Sequence, residues 1–361
     1  MNKFIEFLKW SIKTMISAFK QRYPLITKGV YLLLGAIPTK YLMSSAIIVK
    51  IDKSYSLGII DTLSLDISSI DYFGSAISAL CALMGVLLIM HQLKSISNAA
   101  RLTSRVLING IDSSSKTFPD SIIPDSEKLT IREVVELGYN ENIDVDLFID
   151  NAIEIFNAEV KVDIFNRFIL NNNCKKLYLG GLQRIPFLIA YGSRFRANID
   201  EVKFYDKIHN NSRWSLMDEM DDGISIIQSE LVLPNDKGDI GVAIGLTNPI
   251  QEHQLPNLLK DHTIFISPNV SPKHNLVMNQ ENINRLTLEI KELVSEISRV
   301  ENVNKIHFFV SAQSSIAISL GMRYQDGIHK NWVIHNFDAP TGTYTWAIEL
   351  DKIGIKKFKQ S

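Results

Sequence analysis

Residues 175–195 read KKLYLGGLQRIPFLIAYGSRF, and residues 201–217 follow as EVKFYDKIHNNSRWSLM. Residues 304–324, NKIHFFVSAQSSIAISLGMRY, and 330–348, KNWVIHNFDAPTGTYTWAI, repeat the same order of segments. Each pair runs apolar strand, small or polar turn, apolar helix ending near a glycine (Gly192, Gly321), second strand, then a Trp-bearing strand (Trp214, Trp346). Strand–turn–helix–strand at this length is a parallel crossover unit. Two such units in one chain predict a pseudo-symmetric α/β pair with a cleft where the turns face each other. A cleft of that kind suits a ligand that is itself quasi-symmetric.

Working outward, Asp239–Leu246 and His262–Ser267 read as strands between the units. Asn282–Val300 reads as a helix with Ile283, Leu286, Ile290, Leu293 and Ile297 on one face. Glu133–Asn171 is mostly helical by pattern, with Val145, Phe148, Ile149, Ile153, Phe156 and Val160 as its apolar positions. Residues 113–126, SSSKTFPDSIIPDS, lack periodicity and read as a linker. The predicted organisation is an amphipathic N-terminal helix (1–24), a membrane unit with a juxtamembrane helix (25–112), the linker (113–126) and a C-terminal α/β domain (127–361).

The membrane unit rests on two apolar runs. Tyr72–Leu93 contains no Lys, Arg, Asp or Glu, and about 20 apolar residues span a bilayer core. Gly29–Val49 is less uniform, because Pro38 and Lys40 lie near its middle. An intramembrane Lys costs about 2.5–3.5 kcal/mol on insertion scales, so Lys40 faces a partner helix or pore, or the helix breaks there. The alternative is one span plus an interfacial segment. Basic residues precede the first run (Lys3, Lys9, Lys13, Lys20, Arg22, Lys28) and follow the second (Lys94, Arg101, Arg105), while the loop between carries four Asp. The positive-inside rule then puts both ends in the cytoplasm and the short loop outside. Residues 1–23 have helical apolar spacing (Phe4, Phe7, Leu8, Ile12, Met15, Ile16, Phe19) and fit either an interfacial amphipathic helix or an ordinary packed one. Gly74, Ser78 and Ala82 form a small-residue stripe that would allow close helix approach.

Composition excludes several classes. Net charge is −1, which gives no reason to expect duplex DNA as a partner. The two cysteines, Cys81 and Cys174, are ill-placed for a disulfide, and no Cys/His cluster points to zinc. His307, His329 and His335 lack a metal-ligand spacing, so no metal and no cofactor is expected. No P-loop, G-x-S-x-G, H-E-x-x-H or G-x-G-x-x-G is present.

In open parallel sheets, ligands sit outside the carboxyl ends of the strands. The turns there carry Gly180, Gly181, Gln183 and Arg184 in the first unit, and Ser311, Gln313 and Ser314 in the second. Glycine and serine admit a phosphate to backbone N–H groups at a helix N-terminus. Gln183 and Gln313 stand at matching places to read base edges or ribose, and Arg184 is suited to a phosphate. The competing reading is that Gly and Ser serve the turn itself. The second strands add Tyr205, Lys207, His335 and Asn336, with Tyr205 offering a stacking face. Trp214 and Trp346 fit the core better, and Arg194 and Arg196 fit solvated charge.

Together, LYLGGLQRIPFLIAYGSRF…VKFYDKIHNNSRWSL and IHFFVSAQSSIAISLGMRY…WVIHNFDAPTGTYTWAI resemble the SAVED domain, the cyclic-oligonucleotide sensor of bacterial CBASS anti-phage systems. That domain is similar to a fusion of two CRISPR-associated Rossmann-like (CARF) units. The resemblance runs over roughly residues 129–350. With a membrane hairpin in front, the chain looks like a TM-SAVED effector. The resemblance implies a cyclic di- or trinucleotide made by a partner nucleotidyltransferase, self-association on binding, and damage to the inner membrane that ends in abortive infection. It implies no catalysis. Two other readings stay open: a membrane-tethered ring nuclease that cleaves the cyclic nucleotide, and a receptor for another small metabolite.

Overall fold

A computed structural model describes residues 24–44, 47–53, 60–67, 72–110, 123, 127, 134–137, 145–170, 174–195, 199–208, 213–218, 220–221 and 223–359. The predicted N-terminal helix, Arg196 and all of the linker but Ile123 lie outside them. The chain divides into two units, residues 1–99 with 125–129, and residues 100–124 with 130–361.

In the first unit, helix α1 (Pro24–Ser44) begins with proline, whose fixed φ and missing N–H suit a first turn. It continues past Pro38 as one helix, so the break considered from the sequence does not occur. The loop expected after it forms an antiparallel hairpin, β1 (Ile47–Lys53) with β2 (Ile60–Ile67). Helix α2 (Tyr72–Leu102) follows. Ala76–Ala99, 24 residues, is the one described helical stretch long and apolar enough to cross a membrane. The apolar part of α1 among the described residues is Pro24–Ala36, which is shorter.

The two helices touch at glycines. A Cβ on Gly29 would stand 2.6 Å from the Gly85 carbonyl oxygen, and one on Gly85 would stand 2.7 Å from that of Gly29. The Ser78 hydroxyl donates to the Ala36 carbonyl. The stripe expected to mediate self-association thus spends Ser78 inside the hairpin. Small residues permit this approach in an apolar medium, where packing and hydrogen bonds replace the hydrophobic effect. On α2, Leu80, Leu83, Met84, Leu87 and Met90 are exposed, at the spacing of one helix face.

The second unit holds two sheets. The first has the order β4-β3-β5-β6-β7, with β3 (Thr103–Asn109), β4 (Val134–Leu137), β5 (Lys176–Leu182), β6 (Glu201–Lys207) and β7 (Trp214–Leu216). The second has the order β14-β13-β12-β11-β9-β10-β8. Its strands are β8 (Ile226–Gln228), β9 (Asp239–Gly245), β10 (Thr263–Pro268), β11 (Lys305–Ser311), β12 (Asn331–Asp338), β13 (Thr343–Leu350) and β14 (Ile355–Phe358). The repeat predicted from sequence is present and larger than expected. β3, β5 and β6 run parallel as do β9, β11 and β12; β4 flanks β3 as β10 flanks β9; β7 closes antiparallel as β13 does. Two corrections follow. Residues 103–109, assigned to a juxtamembrane helix, form a central strand, and residues 134–137, assigned to a helix, form an edge strand. Seven and four residues are too few for their period to separate strand from helix. Helix α3 (Val145–Lys161) and helix α5 (Gln280–Arg299) lie where periodicity put them. On α5, Ile283, Leu286, Ile290, Leu293 and Ile297 are buried, and the Asn279 side chain caps the first turn by accepting from the N–H groups of Glu281 and Asn282.

The crossover helices α4 (Ile185–Gly192) and α6 (Ser314–Met322) are apolar all round, which calls for burial on every side. They meet each other. A Cβ on Gly192 would stand 2.2 Å from the Ile318 carbonyl oxygen, and one on Gly321 would stand 2.1 Å from that of Ile189. The contact is reciprocal, as a pseudo-two-fold axis demands. The two glycines read as helix ends are there because backbone packs on backbone. Phe187 and Trp346 (ring centroids 6.0 Å apart) extend this seam, so Trp346 is core as expected.

Candidate functional site

The carboxyl ends of β5, β6, β9, β11 and β12 converge on one cleft of about 490 Å3, within the usual range for small-molecule sites. The first half supplies Leu182, Gln183, Ile185, Asp206 and Lys207. The second supplies Val310, Ser311, Ala312, Gln313, Ser314, Phe337 and Tyr344, and the segments after β9 and before α5 supply Thr247–Ile250, Gln254, His274 and Asn275. Strand–helix turns of both halves face each other here, as the repeat predicted.

Of the residues singled out from sequence, Gln183, Lys207, Ser311, Gln313 and Ser314 line this cleft. Their roles differ from the expectation. Gln183 is 5 % exposed and its Oε1 accepts from the Arg184 N–H at 2.8 Å. Gln313 is tied on both sides: its Oε1 accepts from the Val277 N–H at 3.1 Å, while its Nε2 donates to the Val277 carbonyl at 2.6 Å and to Asp206 at 2.9 Å. Gln183 thus braces its own turn, and Gln313 fastens its turn to the segment before α5 and to the first half. Ser311 anchors the loop after β9, its hydroxyl accepting from the Asn248 N–H at 3.1 Å.

The other six lie elsewhere. Tyr205 is fully buried, its hydroxyl donating to the Val106 carbonyl at 2.7 Å, so it offers no stacking face. Gly180 is glycine because that ring lies across it: a Cβ there would stand 2.2 Å from Tyr205 Cζ. Gly181 packs under Leu188 and Ile318 at the helix seam. The Arg184 guanidinium lies over the Phe148 ring, 5.2 Å from its centroid. Asn336 is buried and donates to the Phe337 carbonyl at 3.0 Å. His335 stacks on Phe309 at 4.4 Å, on the sheet face turned away from the helices. Alternation turns Tyr205 away from the cleft that its neighbour Asp206 lines, while His335 shares a face with Phe337 but lies two residues before it on β12, short of the carboxyl end where the cleft opens.

Asp206 is the residue the sequence reading missed. It comes from the first half, yet it accepts from the Ser315 N–H of the second half's helix α6 at 3.0 Å (Oδ1) and from Gln313 Nε2 at 2.9 Å (Oδ2). The carboxylate thereby occupies the helix N-terminus where a phosphate was expected. Burial pushes its pKa up, against bonds from Ser315 and Gln313 that favour the charged form. At the matching end of α4, Pro186 has no N–H to offer and Gln183 Oε1 accepts from the Arg184 N–H. Lys207 and His274 are the basic side chains of the cleft wall. Phe337, 41 % exposed, with Tyr344 at 5.3 Å, supplies the aromatic surface. No motif marks Asp206 or Phe337; alternation within β6 and β12 was the available signal.

His335 makes a pH prediction. Burial, and next His307, hold its pKa well below the usual 6.5. Below about pH 6.5 the unfolded chain gains a proton that the folded chain refuses, so stability is lost as pH falls. The limiting slope is about 1.4 kcal/mol per pH unit. Denaturant titrations at descending pH will show a smaller loss in His335→Phe than in the parent; equal losses would refute a neutral buried His335.

Residues 163–350 match the SAVED family, described as the SMODS-associated and fused to various effectors sensor domain. The chain belongs to the SAVED family. The match covers both crossover units and every strand that lines the cleft, and leaves out β3 and β4 at the other side of the first sheet. Similar solved structures include Cap4 SAVED/CARF-domain containing receptors from Acinetobacter baumannii, with the cyclic trinucleotide 2'3'3'-cAAA (14% identity, TM-score 0.45) or 3'3'3'-cAAA (17% identity, TM-score 0.46). Each covers 78% of this chain and 60% of the receptor. The Moraxella osloensis Cap4 receptor is similar at 18% identity, with TM-score 0.42, 75% of this chain and 57% of the receptor. This chain thus spans about 60% of the length of the Acinetobacter receptors. No curated protein matches the sequence significantly.

Proposed function

We propose that this SAVED protein is a membrane-anchored receptor, not an enzyme, that binds a cyclic oligonucleotide from a partner nucleotidyltransferase. The observation that carries the reading is the cleft walled by matching turns of both halves of a sensor-family domain. Its size admits a cyclic di- or trinucleotide in part, with bases against Phe337 and Tyr344 and phosphates toward Lys207 and His274. Binding drives self-association, which gathers the α1–α2 hairpins. Gathered hairpins gain contacts through effective concentration alone, and permeabilise the bacterial inner membrane in antiviral defence. Support for the membrane part is the apolar Ala76–Ala99 segment, only 11% of it buried, together with the charge asymmetry of its flanks.

The test uses the full chain in detergent micelles, titrated by calorimetry with cyclic di-, tri- and tetranucleotides. Saturable binding of one of them, with growth in particle size, is the expected result. Lys207→Glu should weaken that binding about tenfold or more, since a charge-assisted hydrogen bond is worth about 1.5–3 kcal/mol. Failure of every cyclic oligonucleotide to bind would overturn the reading in favour of another small metabolite. Dye release from vesicles of bacterial lipids, dependent on the bound ligand, tests the membrane step.

A further inference from the structure

A second pocket, of about 310 Å3, opens at the amino ends of β9 and β11, on the sheet face away from the helices. Asp239, His307, His335 and Phe358 form its inner wall, and Pro256 and Leu258 its apolar rim. It shares no lining residue with the cleft.

The two histidines are almost fully buried, at 2 % and 1 % exposure. His307 Nδ1 and His335 Nε2 share one hydrogen bond of 2.9 Å. Each ring keeps a second nitrogen with no hydrogen-bond partner, His307 Nε2 and His335 Nδ1. Buried polar atoms are paired in the great majority of folds, so two orphans in one pocket call for an explanation. Asp239 Oδ1 stands 3.7 Å from His307 Nε2, too far for a hydrogen bond but close enough to favour the tautomer with its hydrogen there. His307 Nδ1 then accepts from His335 Nε2–H. The wall consequently presents an unsatisfied N–H donor beside a carboxylate acceptor.

The rings are held in place. Phe358 stands 5.3 Å from His307 edge-on, and Phe309 stacks on His335 at 4.4 Å. From Phe309 the row continues to Tyr344 at 5.0 Å and to Phe337 at 5.3 Å. Little ordering is left for a ligand to impose.

A complementary ligand carries an acceptor next to a donor on one edge of a flat ring, to take His307 Nε2–H and give to Asp239. It has π-faces for an aromatic and aliphatic surround, and a volume near the lower end of small-ligand sites. We propose that this pocket binds a single amino-substituted nucleobase, free or as its nucleoside, by its N–H2/ring-nitrogen edge. The pocket is too small for a cyclic oligonucleotide, and the inference does not depend on what the cleft binds.

The probes are adenosine, adenine and purine riboside, which keeps the ring but lacks the amino donor. Each is titrated into the full chain in detergent micelles and read by saturation-transfer NMR and calorimetry. Saturable binding of adenosine, at least tenfold tighter than purine riboside, is expected; adenine binding as well as adenosine places recognition on the base, and weaker binding of adenine adds the sugar to it. Asp239→Asn should weaken adenosine about tenfold while the unfolding temperature stays near the parent's. Leu258→Trp, at a rim residue already 56 % exposed, should block the pocket without touching the core. The proposal is overturned if adenosine shows no saturable binding at millimolar concentration, if purine riboside binds equally well, or if neither variant weakens it.

Discussion

Gly321→Val will loosen the two-sheet unit by about 3 kcal/mol, the upper part of the range for overpacking a filled interior. The added Cβ meets the Ile189 carbonyl at 2.1 Å, and that atom belongs to helix backbone, which has no rotamer to change. Relief requires α4 and α6 to separate along their whole contact. Those helices join the two halves, so separation also opens the seam formed by Phe187 and Trp346. For a unit of this size the unfolding temperature should fall by roughly 6–12 °C. Gly192→Val should do the same, because its Cβ meets the Ile318 carbonyl from the other side of the pseudo-axis. Thermal unfolding followed by circular dichroism decides the matter: a variant within about 2 °C of the parent would mean that the seam yields and that its glycines are not required.

Asp206→Ala is expected to cost about 2–3 kcal/mol and, in addition, to abolish ligand binding in the cleft. The Ser315 N–H loses its carboxylate, Gln313 Nε2 loses one of its acceptors, and a buried donor left unpaired pays its full desolvation penalty. The same carboxylate opposes the positive end of α6, an effect of up to about 2 kcal/mol in buried geometry. Asp206→Asn should recover part of the stability, since its carbonyl oxygen still accepts from Ser315, while its amide then confronts the Gln313 amide donor to donor. Stability measured by denaturant titration and binding measured by calorimetry separate the two roles. If Asp206→Ala folds as stably as the parent, the carboxylate does not hold the halves together. If it binds cyclic oligonucleotides as the parent does, the floor of the cleft is not built on it.

These two residues share a feature that bears on how the protein works. Gly321 and Asp206 each join one half to the other, and neither acts inside its own crossover unit. A ligand that touches turns from both halves changes the relative free energy of their arrangements only through such joints.

Much was legible from residue order alone. The duplicated segments announced two parallel crossover units, because an apolar run, a small turn and a second apolar run of those lengths have few other solutions. The periodicity of Gln280–Arg299 announced its buried face, and the charge-free run after Tyr72 announced an apolar helix. Strands β3 and β4 were not legible, since short apolar runs carry no decisive period and their partners lie far along the chain; β3 pairs with β5 across more than 60 residues, as the register of Thr103 with Lys176 shows. For the site, the sequence located the turns but not the direction of their side chains. Gln183 and Gln313 looked like readers of a ligand, but Gln183 Oε1 accepts from its own turn and Gln313 ties its turn to Val277 and to Asp206 of the other half. What residue order determined about this protein is therefore the repeated architecture and the end of the sheets at which the cleft opens. Which side chains face that cleft, and that Asp206 holds the end of α6, only the tertiary structure decided, because packing of one half against the other sets which neighbour of each strand residue turns inward.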